Sequence, residues 1–410
     1  MRAQTMRSRR ILLFAAAVLG LLFSGNAAFA ENEASTEAKK TTAGKSFVTV
    51  YKGQDYSRVY DYYYYTKKYP SVIRTVGKSK KKVLKHFVTV GIKKGRRGIK
   101  SFQLRSYAYG CPALRKKFGN NYRKYYLHYQ NTGYKYAKYR AAATGVKTIK
   151  SPAVKYGGVS YAKVYDYTWY LKQHPEIKKK YGYNDTAVLE YYVKNGYPNL
   201  EKAKETVADN AFEVVDKNVF RRLVGATQTA RKTNQIIVVV DHELTLWQKN
   251  SKGSWRQKLK AYCGYGKSGL SENHIEGDMT TPIGSFPILH AFGTAANPGT
   301  SMTWKNITAN SYWSGERATY NTWVESTTAV SGEHLIDYYQ YKYAMAIGYN
   351  INPTVYGKGS AIFVHCKSTD HWYTGGCVSL ENDMMVSLLK KCKNGTYIII
   401  VRSRDDLSRY

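Results

Sequence analysis

Ala361-Ile362-Phe363-Val364-His365 is followed, twelve residues after the histidine, by Cys377 in the run Thr374-Gly375-Gly376-Cys377-Val378-Ser379-Leu380. An apolar run delivers a histidine, and a glycine pair delivers a cysteine. Cysteine attacks a carbonyl carbon as its thiolate, so it needs an imidazole to take the proton and backbone N–H groups to hold the oxyanion that forms. Glycines just before the nucleophile allow that close backbone approach. The first expectation is a cysteine acyl-transfer enzyme with Cys377 as nucleophile and His365 as base. Taken singly, His365 is as readily a core histidine and Cys377 a turn cysteine; the pairing gives them meaning.

Outward from this stretch, the pattern is β. Gln235 opens a strand, Ile236-Ile237-Val238-Val239-Val240, with Leu244-Thr245-Leu246-Trp247 across a short polar turn, and short strands continue to Thr396-Tyr397-Ile398-Ile399-Ile400-Val401. The absence of a βαβ rhythm argues for a mostly antiparallel sandwich or barrel. Ala203 to Leu223 reads as a linking helix.

The first half is different in kind. Tyr65, Pro70, Gly77, Leu84, Phe87 and Gly91 recur forty-two residues later as Tyr107, Pro112, Gly119, Tyr126, Tyr129 and Gly133, and again as Tyr170, Pro175, Gly182, Leu189, Tyr192 and Gly196. Three tandem units follow, each expected as helix, Gly turn, helix, stacked to bury a shared aromatic stripe. Positions 51 to 200 hold 27 of the 40 tyrosines. They also hold 33 Lys and Arg against 6 Asp and Glu, which is most of the net charge of +36. Such a surface concentrates polyanions. Tyr62 to Tyr64 and Tyr134 to Tyr139, interleaved with Lys and Arg, suit sugar stacking beside phosphate or carboxylate contact.

At the N-terminus, Arg7, Arg9 and Arg10 precede an apolar run from Ile11 to Phe23, and Ala28-Phe29-Ala30 reads as a cleavage site. Residues 1–30 are therefore expected as a secretory signal, the run being shorter than the roughly 20 residues that span a bilayer. Export points the basic face to anionic wall polymers or lipid head groups, not nucleic acid. The expected layout continues with a polar linker at 31–45, helical repeats at 46–205, a linking helix at 206–223, a catalytic domain at 224–403 and a tail at 404–410. Five cysteines, Cys111, Cys263, Cys366, Cys377 and Cys392, leave at least one free thiol. A Cys366–Cys392 bridge, or pairing of Cys263, stays open. Zinc held by His365, Cys366, His371 and Cys377 is disfavoured, because His365 and Cys366 point to opposite faces of a strand.

The C-terminal half resembles the YkuD-type L,D-transpeptidase catalytic domain. The carrying residues are Ile236 to Val240, Glu276-Gly277-Asp278 with Thr281-Pro282-Ile283-Gly284-Ser285-Phe286, Tyr320-Asn321-Thr322-Trp323-Val324, Ser331-Gly332-Glu333-His334-Leu335 and, above all, Ile362 to Leu380. The resemblance implies a mostly-β sandwich and a peptidoglycan stem-peptide substrate. It implies a thioester on Cys377 and a 3-3 cross-link made by a neighbouring stem's amine. His365 would be the general base, oriented by a backbone carbonyl after it, and the N–H groups of Gly376, Cys377 and Gly375 would hold the oxyanion. His334 and Trp323 are expected as substrate contacts. No metal, nucleotide or organic cofactor is implied, and oligomeric state is not addressed. The commonest family signature has Ser-His-Gly-Cys; Thr374-Gly375-Gly376-Cys377 instead resembles a subgroup with a small residue two before the cysteine. An L,D-carboxypeptidase, with water resolving the thioester, and a wall-binding protein without turnover are the alternatives. The chain is read as secreted and wall-associated. Its repeats are similar to tandem repeats of secreted bacterial surface proteins.

Overall fold

The computed structural model describes residues 48–410; the expected signal and the whole of the expected linker lie outside them. The chain divides into two compact units, one ending at Val215 and one from Asp216 to Tyr410. No helix of the described residues is long and apolar enough to cross a membrane.

The first unit contains three similar helical segments, and proline and glycine set their shape. In the first, Tyr62–Lys68 and Pro70–Val76 precede Lys80–His86, which continues into a π-turn at Phe87–Gly91. The second and third begin with Leu104–Gly110 and Pro112–Phe118, and with Tyr167–Gln173 and Pro175–Tyr181. The expected single first helix is thus two short ones. The cause is the proline, which excludes the α region for the residue before it. Tyr69, Cys111 and His174 hold φ of −128°, −123° and −122° with ψ near +75° in every case. Proline itself sits at the first helical position, where its missing N–H costs nothing. Each second helix then ends on a glycine at positive φ, Gly77 at +76°, Gly119 at +54° and Gly182 at +59°.

Tyr65, Tyr107 and Tyr170 are buried in these segments. The first two turn their hydroxyls to His86 Nδ1 and His128 Nδ1, at 3.2 and 2.8 Å. A Cβ on Gly91 or Gly133 would overlap those hydroxyls, which is why glycine stands there. On the surface, cations already cover several ring faces: Arg58 lies 4.6 Å from the Tyr134 centroid and Lys138 5.0 Å from that of Tyr139. Tyr63 and Tyr136 remain about half exposed.

One buried ion ties the second and third segments together. Arg115 is fully buried; its guanidinium donates to the carbonyls of Ala108, Tyr109, Lys150 and Ser151, and its Nε lies 3.3 Å from Asp185 Oδ1. Asp185 in turn accepts the Ala153 N–H at 2.8 Å.

The helix that spans the division runs Ala211–Ala226, later at both ends than the expected linker helix. Ala203 is held extended instead, because its buried carbonyl accepts the Asp166 N–H at 2.8 Å.

The second unit is built on a nine-stranded sheet. Its order is Val378–Leu380, Phe363–Cys366, Ala344–Ile347, Gly284–Gly293, Tyr397–Val401, Gln235–Val240, Glu243–Lys249 and Trp255–Tyr262, with Trp304–Asn306 added beside Gly284–Gly293. Most pairs are antiparallel; three are parallel. Gln235–Val240 is buried throughout. Ile237 and Val239 join a core with Met385, Leu388 and Leu389 of the helix Asn382–Lys391, while Ile236, Val238 and Val240 join another with Phe220 and Val224. A strand covered on both faces reads as a continuous apolar run, as this one does. Gly284–Gly293 pairs with Tyr397–Val401 through its first half and with Ala344–Ile347 through its second, and a bulge between Ile288 and Ala291 curls the sheet there. The last seven residues are no loose tail: Asp405–Arg409 forms a 3-10 turn that buries Leu407 in the second core.

Removing Arg115 strands Asp185 without its cation. Arg115→Ala is expected to destabilise the first unit by about 3–5 kcal/mol, measured by urea unfolding of the full chain followed through near-UV tyrosine circular dichroism.

Candidate active site

A parallel pair of strands creates the site. Phe363–Cys366 and Val378–Leu380 pair with Val364 opposite Val378 and His365 opposite Ser379, so the connecting loop must return over the strand ends and carries Cys377 back beside Ala361 to Phe363. The cleft above it measures about 460 Å³ and is lined by His365, Cys377, Gly375 and Gly376 together with Glu333 and Trp313.

Threonines shape the loop. Thr281 Oγ1 accepts the Gly266 N–H at 2.8 Å and donates to Gly376 O at 2.7 Å, which is the task of the threonine in the Thr281-Pro282 motif. Thr374 Oγ1 donates to Cys377 O at 2.6 Å and accepts the Gly376 N–H at 3.1 Å. Gly376 sits at φ +155°, and a Cβ there would press on Thr280 O and Ile362 Cδ1. One expectation changes here. The Gly376 N–H is committed to Thr374, so it is not free for an oxyanion. The N–H groups of Gly375 and Cys377 make no hydrogen bond among the described residues.

Cys377 Sγ donates to Ala361 O at 3.2 Å and accepts the Phe363 N–H at 3.3 Å. Burial pushes its thiol far above the ordinary range, the charge of Glu333 adds to this, and the Phe363 N–H opposes it. His365 Nδ1 lies 2.7 Å from Cys366 O, so Nδ1 carries the proton and Nε2 holds a lone pair. Burial pushes His365 down to about 4. At neutral pH the pair is therefore a neutral thiol and a neutral imidazole, not a thiolate–imidazolium pair. In this structure the two line one cleft without a hydrogen bond between them; Sγ is turned to Ala361.

The two further expected contacts are placed elsewhere. His334 does not line the cleft: its Nε2 binds Ala309 O at 2.8 Å, its Nδ1 lies 3.0 Å from Asp337, and its ring stacks on Tyr312. Strand alternation is the cause, since Glu333 and His334 face opposite sides of a three-stranded sheet in which Trp313 lies opposite Glu333 and Tyr312 opposite His334. Trp323 shares the face of Trp313 but stands one strand farther out, where it packs on Phe292 and His290. Glu333 and Trp313 occupy the cleft instead. Glu333 Oε2 accepts the Tyr341 hydroxyl at 2.6 Å, and the Tyr341 ring lies 5.5 Å from the His365 ring. His371, read from sequence as a solvated loop residue, lines the rim stacked on Tyr373. His274, which carried no sequence signal, also lines the cleft, its Nδ1 held by Thr280 and Asp278.

Cys366 points away from the cleft into the main core, with its Sγ 3.1 Å from Asn382 Oδ1. All five cysteines are free.

Residues 233–401 match the family model YkuD, the L,D-transpeptidase catalytic domain. No curated protein matches the chain. Among solved structures, the helical cell shape determining protein Pgp2 from Campylobacter jejuni is 14% identical over 47% of this chain and 59% of that one, with a TM-score of 0.25. L,D-transpeptidase 1 of Mycobacterium tuberculosis is 15% identical over 41% of this chain and 61% of that one, with a TM-score of 0.20. An L,D-transpeptidase from Mycobacterium smegmatis is 13% identical over 41% and 58%, with a TM-score of 0.22. This chain thus spans about three fifths of the length of those proteins.

The threonine clamp predicts a hydroxyl dependence. Thr281→Val, which keeps the shape and removes the donor to Gly376, is expected to lower the rate of Cys377 alkylation or acylation about tenfold or more, and Thr281→Ser to restore it. Equal rates in wild type and Thr281→Val, measured by intact mass against time, would contradict the assignment.

Proposed function

We propose that this chain, which carries a YkuD-family L,D-transpeptidase catalytic domain at residues 233–401, is an exported peptidoglycan L,D-transpeptidase that forms 3-3 cross-links through a thioester on Cys377. The observation that carries the reading is the meeting of Cys377, a neutral His365 and two unspent N–H groups in one cleft.

The chemistry follows from the protonation states. Cys377 is a buried thiol, so it cannot attack until its proton leaves, and His365 Nε2 has the lone pair to take it as the carbon–sulfur bond forms. Cys366 O, bound to Nδ1, orients the ring and steadies the imidazolium. The N–H groups of Gly375 and Cys377 hold the oxyanion of the tetrahedral intermediate. Collapse expels the terminal D-amino acid as an amine, which takes the proton from Nε2 and leaves a thioester on the third residue of the stem. The amine of a second stem then attacks that thioester and frees the thiol. No step needs a metal or an organic cofactor.

The basic, tyrosine-bearing first unit is assigned to wall association. Its lysines and arginines meet phosphates or carboxylates of wall polymer, and exposed rings such as Tyr136 offer faces to sugars.

The test is incubation of the mature protein with purified sacculi or disaccharide-tetrapeptide, followed by mass spectrometry of muropeptides. Wild type is expected to yield 3-3 dimers, Cys377→Ala none, and His365→Gln a rate about 10²- to 10⁴-fold lower. Tripeptide without dimers would convert the assignment to carboxypeptidase, and no turnover at all would leave a binding protein. His365 loses its lone pair only on protonation, so the acid limb of acylation is expected near pH 4; a limb at the ordinary histidine value of 6.5 would contradict the buried neutral base. Retention of the protein on sacculi is expected to fall steeply as salt rises, since surface charge contacts are screened within about 10 Å at 0.1 M. Retention unmoved by salt would contradict binding through the basic face.

A further inference from the structure

On a chain of net charge +36 the cleft is lined, among the described residues, by two carboxylates, Glu276 and Glu333, and by no lysine or arginine. The two differ in their partners. Glu276 is engaged by the Tyr320 hydroxyl and is displaced toward the Gly357–Gly359 loop, whose Gly359 N–H binds the same hydroxyl. Glu333 lies on the nucleophile's side of the cleft. Tyr341, whose hydroxyl it accepts, packs on Phe363 at 5.4 Å and on His365 at 5.5 Å, and Tyr341, Phe363 and Cys377 belong to one buried cluster. The negative charge of Glu333 reaches Sγ, where it opposes thiolate formation.

Among the described residues no cation compensates this carboxylate; the Tyr341 hydroxyl is the one group that favours its ionised form. Burial pushes Glu333 up to about 7, with the Tyr341 bond pulling the other way. A carboxylate desolvated beside a nucleophile it impedes is costly, and an arriving cation relieves both effects. The reaction proposed above has a cation to offer. Its acyl acceptor is a primary amine, which at neutral pH arrives as an ammonium with an ordinary pKa of about 10.4 and cannot attack until it loses a proton.

We infer that Glu333 is the acceptor-binding residue of this enzyme: its carboxylate pairs with the ammonium of the incoming diamino acid and takes one of its protons. The inference rests on the transpeptidase reading and extends it to the second substrate. One proton of the ammonium moves to Glu333, and the freed nitrogen lone pair forms the C–N bond at the thioester carbon. A second proton passes through His365 Nε2 to Sγ as the C–S bond breaks, which restores the thiol and leaves the amide. Glu333 then releases its proton to solvent. Water, being neutral, forms no ion pair with Glu333, so the same carboxylate biases the thioester toward cross-linking over hydrolysis by concentrating the amine. Trp313, opposite Glu333 on the neighbouring strand, walls the site with an apolar face suited to the methylene stem of the acceptor.

The experiment uses the mature chain with disaccharide-tetrapeptide as donor and, as acceptors, disaccharide-tripeptide bearing its free diamino acid amine or hydroxylamine, which is neutral at pH 7. Intact mass reports the Cys377 adduct, and chromatography the dimer, tripeptide and hydroxamate. Glu333→Gln is expected still to form the adduct, to lose about tenfold or more in the dimer-to-tripeptide ratio with a raised KM for the acceptor, and to keep the wild-type hydroxamate-to-tripeptide ratio. Glu333→Asp is expected to recover part of the ratio. A Glu333→Gln ratio equal to wild type, or an equal loss with hydroxylamine, overturns the inference. Should the variant not fold, wild type decides: butylammonium is expected to suppress dimers without slowing adduct formation, and a failure to compete overturns the inference. Absence of any Cys377 adduct in wild type overturns the transpeptidase reading itself.

Discussion

The parallel pairing of Phe363–Cys366 with Val378–Leu380 is the constraint on which the rest of the second unit depends. A parallel pair cannot be closed by a tight turn, so the chain must cross over, and here it does so in eleven residues without a helix. That short crossover folds back over the strand ends, and its last residue before the second strand is Cys377. The remaining features serve the crossover. Thr281 and Thr374 pin the carbonyls of Gly376 and Cys377, the bridge between Gly266 and Thr374 ties the loop down, and the glycines let backbone approach backbone where a Cβ would collide. With its carbonyls fixed in this way, the loop presents two N–H groups to the cleft.

Burial sets the chemistry as firmly as position does. A thiol enclosed by Ala361, Phe363 and Tyr341 resists ionisation, and an imidazole in the same setting resists protonation, so both rest neutral. In the proposed reaction, proton transfer and attack are then coupled, and the thiol stays inert until a carbonyl is in place. A resting thiol is also guarded against oxidation, to which thiolates are prone. The same logic governs the first unit, where Arg115 is tolerated in a dry interior because four carbonyls and Asp185 share its charge.

How far these features were legible depended on whether the residues acting together were near in sequence. The His365 to Cys377 spacing, the apolar run Ile236 to Val240 and the proline and glycine rhythm of the first half are local patterns, and they were readable. The break that Pro70, Pro112 and Pro175 impose was readable in principle; reading each unit as helix, Gly turn, helix left it out. Glu333 and Trp313 were not legible, because the choice between Glu333 and His334 rests on strand register against Tyr312 and Trp313, twenty residues away. Trp323 was misplaced for the same reason: it has the right face and the wrong strand. The commitment of the Gly376 N–H turns on where the Thr374 hydroxyl points, which sequence does not record. The structured end of the chain, with Leu407 buried, also escaped composition, since a single apolar residue among charges reads as solvent-facing.

The most direct measurement is the intact mass of the mature protein mixed with a disaccharide-tetrapeptide donor, sampled by rapid quench, with peptide mapping of the product. A transient adduct equal to the donor less one D-amino acid, located on Cys377 and absent from Cys377→Ala, is the predicted result. A well-folded protein that processes the donor without that adduct, or carries it on another residue, would contradict the account.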